Sequence, residues 1–373
     1  MAKIVCGKCQ KVHDHCAECP EHGEYQYDFA NSDVFLDKES KRVLRERKAL
    51  GLDGLVGGLK AVIINVEDGN VRPAAEEFLR YTGYGFAGAY EDDRFVTCRL
   101  TLTGSADIIV RSRKGENPFR QYNLNPKSRD LPNTRLETFV FACGDVEQYQ
   151  RIQRGRGVEF LDEGLGDSRF AQTVPSRYTG LSVGLLEGAF TGRRLDWELK
   201  KPGKDYLANI GFLDHTASRV KARDRDAAII EFLELTNYHF DFAIYVKTFN
   251  SITNVARLSG KDFAMVFTSG IVPFRGVEES GPTEKFIYNY GVRTHHLAFV
   301  TQDIENVYAR LTQDGMEYLV ELVGSEADGL KQTFTRQSDH TMLVNEYIHR
   351  YGDFDGFFTR SNVTRLTGAT DKQ

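Results

Sequence analysis

The sequence predicts an α+β protein built from two copies of one βαβββ module, each forming an open-barrel domain, behind a short cysteine-rich head. Three observations carry that expectation. A stretch of the first half recurs in the second, strand-like and helix-like patterns follow in the same order in both halves, and four of the six cysteines fall within the first twenty residues.

The repeat is read from two separate segments. Pro73-Ala-Ala-Glu-Glu-Phe-Leu-Arg-Tyr-Thr-Gly-Tyr84 lines up with Ala227-Ala-Ile-Ile-Glu-Phe-Leu-Glu-Leu-Thr-Asn-Tyr238, an offset of 154 residues. Asp145-Val146 and Gly157-Val-Glu-Phe-Leu161 match Asp303-Ile304 and Gly315-Met-Glu-Tyr-Leu319 at an offset of 158. Two segments at nearly one offset point to duplication.

The head spans residues 1–30. It carries Cys6-Gly-Lys-Cys9, then Cys16-Ala-Glu-Cys19 after six residues. Two such knuckles can supply four thiolates in a tetrahedron, so a structural Zn(II) is expected there, with His13, His15 or His22 able to replace a cysteine. A frayed, reactive tail is the alternative. Residues 31–54 read as a charged linker, in which residues 38–48 form a solvated helix.

The first repeat domain spans 55–204 and the second 205–373. In the first, Leu59–Val66 reads as an apolar strand and Arg72–Tyr81 as an amphipathic helix. Phe95–Arg111 reads as two strands joined near Gly104, Thr138–Cys143 as a strand, Val146–Arg154 as a helix, and Arg177–Glu187 carries strand. The second half repeats this order from Ile210 to Arg350 and ends in a closing helix.

Net charge is −5, so nucleic acid is not the expected partner. No apolar run approaches the roughly 20 residues that span a bilayer, and the start lacks a signal-peptide core. A cytoplasmic protein with no membrane partner, assembled as a homo-oligomer, is the expectation.

Nine histidines are few enough to weigh singly. Against the repeat, His215 corresponds to Ala61 and His296 to Thr138. Histidines thus stand on two strands of the second half where the first half has none. A lone strand histidine is usually structural, but two confined to one repeat suggest a site kept in one copy and lost in the other. In Met342-Leu-Val-Asn-Glu-Tyr-Ile-His-Arg350, period-2 alternation puts Glu346 on one face with Met342, Val344 and Ile348. A carboxylate among apolar neighbours is costly to bury unless paired or metal-bound. Two imidazoles and one carboxylate can hold one face of an octahedron and leave three positions open, an arrangement suited to Fe(II) and O2 chemistry.

Three segments of the second half resemble the 4-hydroxyphenylpyruvate dioxygenase family of the vicinal-oxygen-chelate superfamily. They are Leu213-Asp-His-Thr216, His295-His-Leu-Ala-Phe-Val-Thr-Gln-Asp-Ile304, and Leu330-Lys-Gln-Thr-Phe-Thr335 followed by Glu346-Tyr-Ile-His-Arg350. The resemblance covers residues 55–366, weakly in the first half. It implies Fe(II) held by His215, His296 and Glu346, with Gln332 contacting the substrate and Phe334 stacking on its ring. It also implies decarboxylation of a 2-oxo acid with O2 and hydroxylation of the remainder, on the ring or at the benzylic position as in hydroxymandelate synthase. The family's closing helix aligns with Gly356-Phe-Phe-Thr-Arg-Ser-Asn-Val363 after a one-residue insertion, matching Phe357 and Asn362.

Two departures bear on the substrate. Val363 stands where the family has a second stacking Phe, which weakens selection for a flat ring. Pro273-Phe-Arg275 replaces Pro-Leu-Asn, and Arg275 could take a carboxylate that an Asn could not. A 2-oxo acid other than hydroxyphenylpyruvate is therefore expected. Two other classes suit this fold: a non-catalytic small-molecule binding protein, which would lack the three ligands, and a Zn(II)- or Mg(II)-dependent lyase or isomerase.

Overall fold

The computed structural model of the chain describes residues 3–5, 12–13, 33–352, 354 and 356–373. The expected zinc ligands Cys6, Cys9, Cys16 and Cys19 lie outside them, as do His15, His22 and the side chain of His13. Two short strands, β1 (Lys3–Val5) and β2 (Val12–His13), precede helix α1 (Asp33–Leu50). The first module runs β3 (Val56–Asn65), α2 (Val71–Tyr81), β4 (Gly85–Glu91), β5 (Phe95–Thr101), β6 (Asp107–Arg113), β7 (Arg135–Cys143), α3 (Val146–Gly155), β8 (Phe160–Leu161), β9 (Arg169–Thr173), β10 (Ser182–Glu187) and β11 (Arg194–Leu195). The second runs β12 (Ile210–Arg219), α4 (Arg225–Leu235), β13 (His239–Val246), β14 (Ser251–Arg257), β15 (Ala264–Ser269), α5 (Pro282–Tyr290), β16 (Arg293–Thr301), α6 (Ile304–Gln313), β17 (Tyr318–Ser325), β18 (Leu330–Thr335) and β19 (Val344–Arg350). Helix α7 (Arg360–Ala369) closes the chain. None of the described helices is long and apolar enough to cross a membrane.

The duplication is exact in topology. The first sheet contains the order β4-β5-β6-β3-β7-β10-β9-β8 and the second β13-β14-β15-β12-β16-β19-β18-β17, element for element the same. Each sheet curls into an open barrel. β11 extends the edge of the first sheet; β1 and β2 extend the edge of the second, with β1 parallel to β13.

The repeated residues do the same work twice. Val71, Ala74, Ala75, Phe78 and Leu79 form the buried stripe of α2 at helical spacing. Past its end, the Thr82 hydroxyl donates to the Phe78 carbonyl (2.6 Å) and accepts from the Tyr84 amide (3.3 Å). The Thr236 hydroxyl repeats this after α4, donating to Phe232 (2.8 Å) and accepting from Tyr238 (3.3 Å). Phe, Thr and Tyr recur because each helix end hands its orphan carbonyl to a threonine.

The two barrels share one core. Phe141 of β7 meets Phe232 and Tyr238 at centroid distances of 5.9 and 5.3 Å. Burying a side chain of that size contributes about 2–3 kcal/mol. At the junction, Arg135 donates to the carbonyl of Val292 (3.0 Å) and Arg293 to that of Thr134 (2.7 Å). Each arginine satisfies the carbonyl just before the other, as a pseudo-twofold relation requires.

Residues 38–48 do not form a solvated linker helix. They belong to α1, which buries Leu36 and Val43 against the second module. The Arg47 guanidinium donates to the carbonyls of Leu233, Thr236 and Tyr238, the end of α4. Asp33 accepts from Arg225 (2.5 Å) and from Tyr245 (2.7 Å). The charged run hides this because few apolar positions suffice when buried ions carry the docking.

Candidate metal centre

Three adjacent strands at the middle of the second sheet bring His215, His296 and Glu346 together. Ala298 of β16 pairs with His215 of β12 on one side and Glu346 of β19 on the other, and His296 sits two residues before it. Period-2 alternation turns all three inward. Glu346 Oε2 lies 3.1 Å from His215 Nε2 and 3.2 Å from His296 Nε2. All three residues are buried, and one donor atom from each lies within 4.8 Å of the others.

These separations test the donor set for a metal. Donors at about 2.1 Å from a first-row ion, at right angles, stand about 3.0 Å apart; at tetrahedral angles they stand about 3.4 Å apart. The two separations to Glu346, 3.1 and 3.2 Å, fall between these values, so the donors are close enough to share one ion. Two imidazoles and one carboxylate suit Fe(II) and leave the opposite face for other ligands.

Outer partners fix each donor. His215 Nδ1 donates to Asp214 Oδ2 (2.7 Å), leaving Nε2 for the site. Asp214 is itself gripped by Arg350 through two bonds of 2.7 and 3.0 Å. His296 Nδ1 stands 2.8 Å from His295 Nδ1, and His295 Nε2 stands 2.7 Å from Gln373 Oε1. Gln332 Nε2 donates to Glu346 Oε1, and Asn362 of α7 donates to Gln332 Oε1 (3.0 Å). Such partners hold ligand tautomers and ring planes.

The electrostatics divide the two histidines. Burial pulls His215 down, but the carboxylates of Glu346 and Asp214 outweigh it and raise it to about 9. Burial, then the nearby His295, His215 and Arg219, hold His296 well below the ordinary imidazole range. Burial also works to raise Asp214, but His215 and Arg350 outweigh it and hold that carboxyl well below the ordinary range.

The structure brings most of the sequence-expected residues to this place. Phe334 lies 4.8 Å from the His296 ring, and Phe357 lies 5.4 Å from the His215 ring. Gln332, Phe334 and Val363 line the cavity beside His296 and Glu346. Arg275 does not join them; it is exposed in the loop after β15, where its backbone amide donates to Ser280 Oγ (2.9 Å). Two lining or supporting groups were not legible as such: His295 and Arg219. Phe358 packs on the His215 ring at 5.1 Å. Arg219 had a signal, because it stands four residues after His215 on the same strand face.

The register also shows why one module alone has the site. Val140, the counterpart of Ala298, pairs with Ala61 and Gly184. Ala61, Thr138 and Gly184 thus stand where His215, His296 and Glu346 stand. Gln172 occupies the position of Phe334 and donates to Thr138 Oγ1 (2.8 Å). Phe170, at the position of Gln332, leans over Gly184, and a Cβ there would sit 2.9 Å from its ring.

No family model matches the chain, and no curated protein matches it in sequence. Among solved structures it is similar to a triple mutant of 4-hydroxymandelate synthase from Streptomyces coelicolor, with a TM-score of 0.65 at 17% identity over 85% of this chain and 98% of that one. It is also similar to a fusion protein of a xylose isomerase-like TIM barrel and 4-hydroxyphenylpyruvate dioxygenase, with a TM-score of 0.60 at 14% identity over 91% of this chain and 58% of that one. The likeness is one of fold.

Proposed function

We propose that the chain is a mononuclear Fe(II) dioxygenase that acts on a 2-oxo acid, with the metal held by His215, His296 and Glu346. The observation that carries this reading is the donor set: two imidazoles and a carboxylate, all buried, with one donor atom of each within 4.8 Å of the others. The folds of hydroxymandelate synthase and the dioxygenase fusion support it. Bound Fe(II) supplies the chemistry that couples O2 reduction to decarboxylation of a 2-oxo acid and hydroxylation of its remainder.

The chain's residues have their own tasks. Asp214 and His295 hold the imidazole tautomers, and Gln332 holds Glu346 in one orientation. Phe334, Phe357 and Phe358 wall the site with apolar surface and keep water from it. The cavity has about 50 Å3 free, room for a water or two but not for a 2-oxo acid. Phe358 borders that space, so substrate entry turns this side chain aside.

The test is oxygen consumption by the Fe(II)-loaded protein over a panel of aryl and alkyl 2-oxo acids, with released CO2 measured alongside. Consumption of O2 matched by CO2 supports the reading. CO2 release or isomerisation without O2 would replace it with a lyase or isomerase.

A further inference from the structure

Arg219 is a buried cation without a partner of opposite charge among the described residues. It is 5% exposed and lines the cavity with His296, Gln332 and Glu346. No described carboxylate lies within ion-pair distance of it, and its guanidinium makes no hydrogen bond to a described residue. One terminal nitrogen is fully enclosed with its hydrogens unused. Its guanidinium lies over the face of Phe286, 4.7 Å away.

Other buried arginines also leave one nitrogen unpaired, Arg293 among them, but each has a partner at another of its nitrogens. Arg225 meets Asp33, and Arg135 and Arg293 each find carbonyl oxygens. A buried donor left without an acceptor is destabilising, and a charged one more so. Such a cost in a cavity marks a ligand's place rather than a structural role. Threonines surround the same end: Thr268 is the register partner of Arg219, and Thr253, Thr367 and Thr370 line the cavity with it. The hydroxyls of Thr268, Thr253 and Thr367 can donate to anionic oxygens, while that of Thr370 already donates to the Thr367 carbonyl (2.8 Å).

Charge balance specifies the ligand further. Asp214 and Arg350 cancel each other. A divalent cation, Glu346 and Arg219 then leave two positive charges in a buried space. A monoanionic 2-oxo acid cancels one of them and a dianion cancels both. Burial lowers Arg219 only to about 9, so it stays charged at neutral pH.

We infer that Arg219 is a specificity-determining residue that receives a second anionic group on the substrate, so that the substrate is a dianionic 2-oxo acid. This inference rests on the 2-oxo acid reading of the metal centre. The second group is carried at the end of the substrate remote from the 2-oxo function. His215 and Arg219 are four residues apart on one strand, about 13 Å between Cα atoms. A guanidinium takes a carboxylate in two parallel hydrogen bonds, which favours a planar carboxylate over a single-point acceptor.

The experiment is anaerobic calorimetry on the Fe(II)-loaded full-length protein, after its iron content is measured. Two matched pairs serve as probes: phenylpyruvate with 4-carboxyphenylpyruvate, and 2-oxohexanoate with 2-oxoadipate. The dianion of at least one pair binds tenfold or more tightly than its monoanion. In Arg219→Met that preference falls to parity, iron content is unchanged, and the melting temperature does not drop, because an unpaired buried charge has gone. Arg219→Lys retains part of the preference. Equal binding within both pairs, or binding of none with iron in place, overturns the inference while leaving the metal centre standing. Absence of iron in the wild type overturns the reading beneath it and the inference together. A preference that survives in Arg219→Met assigns the second anion to another residue and also overturns it.

Discussion

The Nδ1 atoms of His295 and His296 stand 2.8 Å apart, an imidazole–imidazole hydrogen bond buried next to the candidate metal centre. With Nε2 of His296 turned to Glu346, its Nδ1 carries the proton and donates to His295. His295 Nε2 then donates to Gln373 Oε1 (2.7 Å). Removing the acceptor should loosen a metal ligand without touching the metal. His295→Phe is expected to lower Fe(II) affinity by about 10–100-fold. His295→Gln, which offers an amide oxygen, should recover part of that. Anaerobic titration with Fe(II) checks both; equal affinity in all three proteins would mean that His295 does not position His296.

Asn362 ties the closing helix to the same site. Its amide donates to Gln332 Oε1 and to the carbonyls of Val323 and Leu330 at 3.3–3.4 Å. Asn362→Ala is expected to cost about 1–3 kcal/mol in urea unfolding, because buried acceptors lose their donor. Unchanged stability would contradict the role given to it.

The first module's filled site gives a prediction of opposite kind. Gly184→Ala places a Cβ 2.9 Å from Phe170, 3.0 Å from Thr138 and 3.1 Å from Val140. Overpacking of this sort costs about 1–3 kcal/mol. Iron binding in the second module should not change. Lower iron content at retained stability would show that the first barrel reaches the centre.

Helix α1 belongs to the folded unit. A chain starting at Asp33 is expected to keep the stability of the second module, apart from the edge strands it lacks. A chain starting at Gly51 loses the Arg47 bonds to three carbonyls and the pair of Asp33 with Arg225. Breaking one buried ion pair alone costs about 3–5 kcal/mol. Thermal unfolding of the two truncated chains checks this; equal melting temperatures would refute it.

Much of this was legible because duplication preserves residues with identical tasks. Phe78, Thr82 and Tyr84 repeat as Phe232, Thr236 and Tyr238, and the contrast of Ala61 with His215 and Thr138 with His296 singled out two positions of the candidate site. Alternation put Glu346 on an apolar face, and the resemblance of its segment to the dioxygenase family singled it out. What stayed hidden was set by tertiary neighbours. Strand β4, Gly85–Glu91, carries two glycines and two alanines and gives a weak strand pattern. The bond from His295 to His296 depends on an irregular register between β12 and β16, which turns both side chains inward. Arg219 reads on paper as one more strand charge; only burial without a partner distinguishes it. Arg275 read as the substrate-facing cation because it stands near a motif, while its loop carries it to the surface.

The most direct test of the metal centre is the Fe(II) stoichiometry of the anaerobically loaded protein, measured side by side for the wild type and Glu346→Ala. Glu346 Oε2 is the atom common to both short separations, 3.1 Å to His215 and 3.2 Å to His296. One iron per chain in the wild type and none retained after desalting in the variant is the expected result. Full iron content in Glu346→Ala, or none in the wild type, would contradict the assignment.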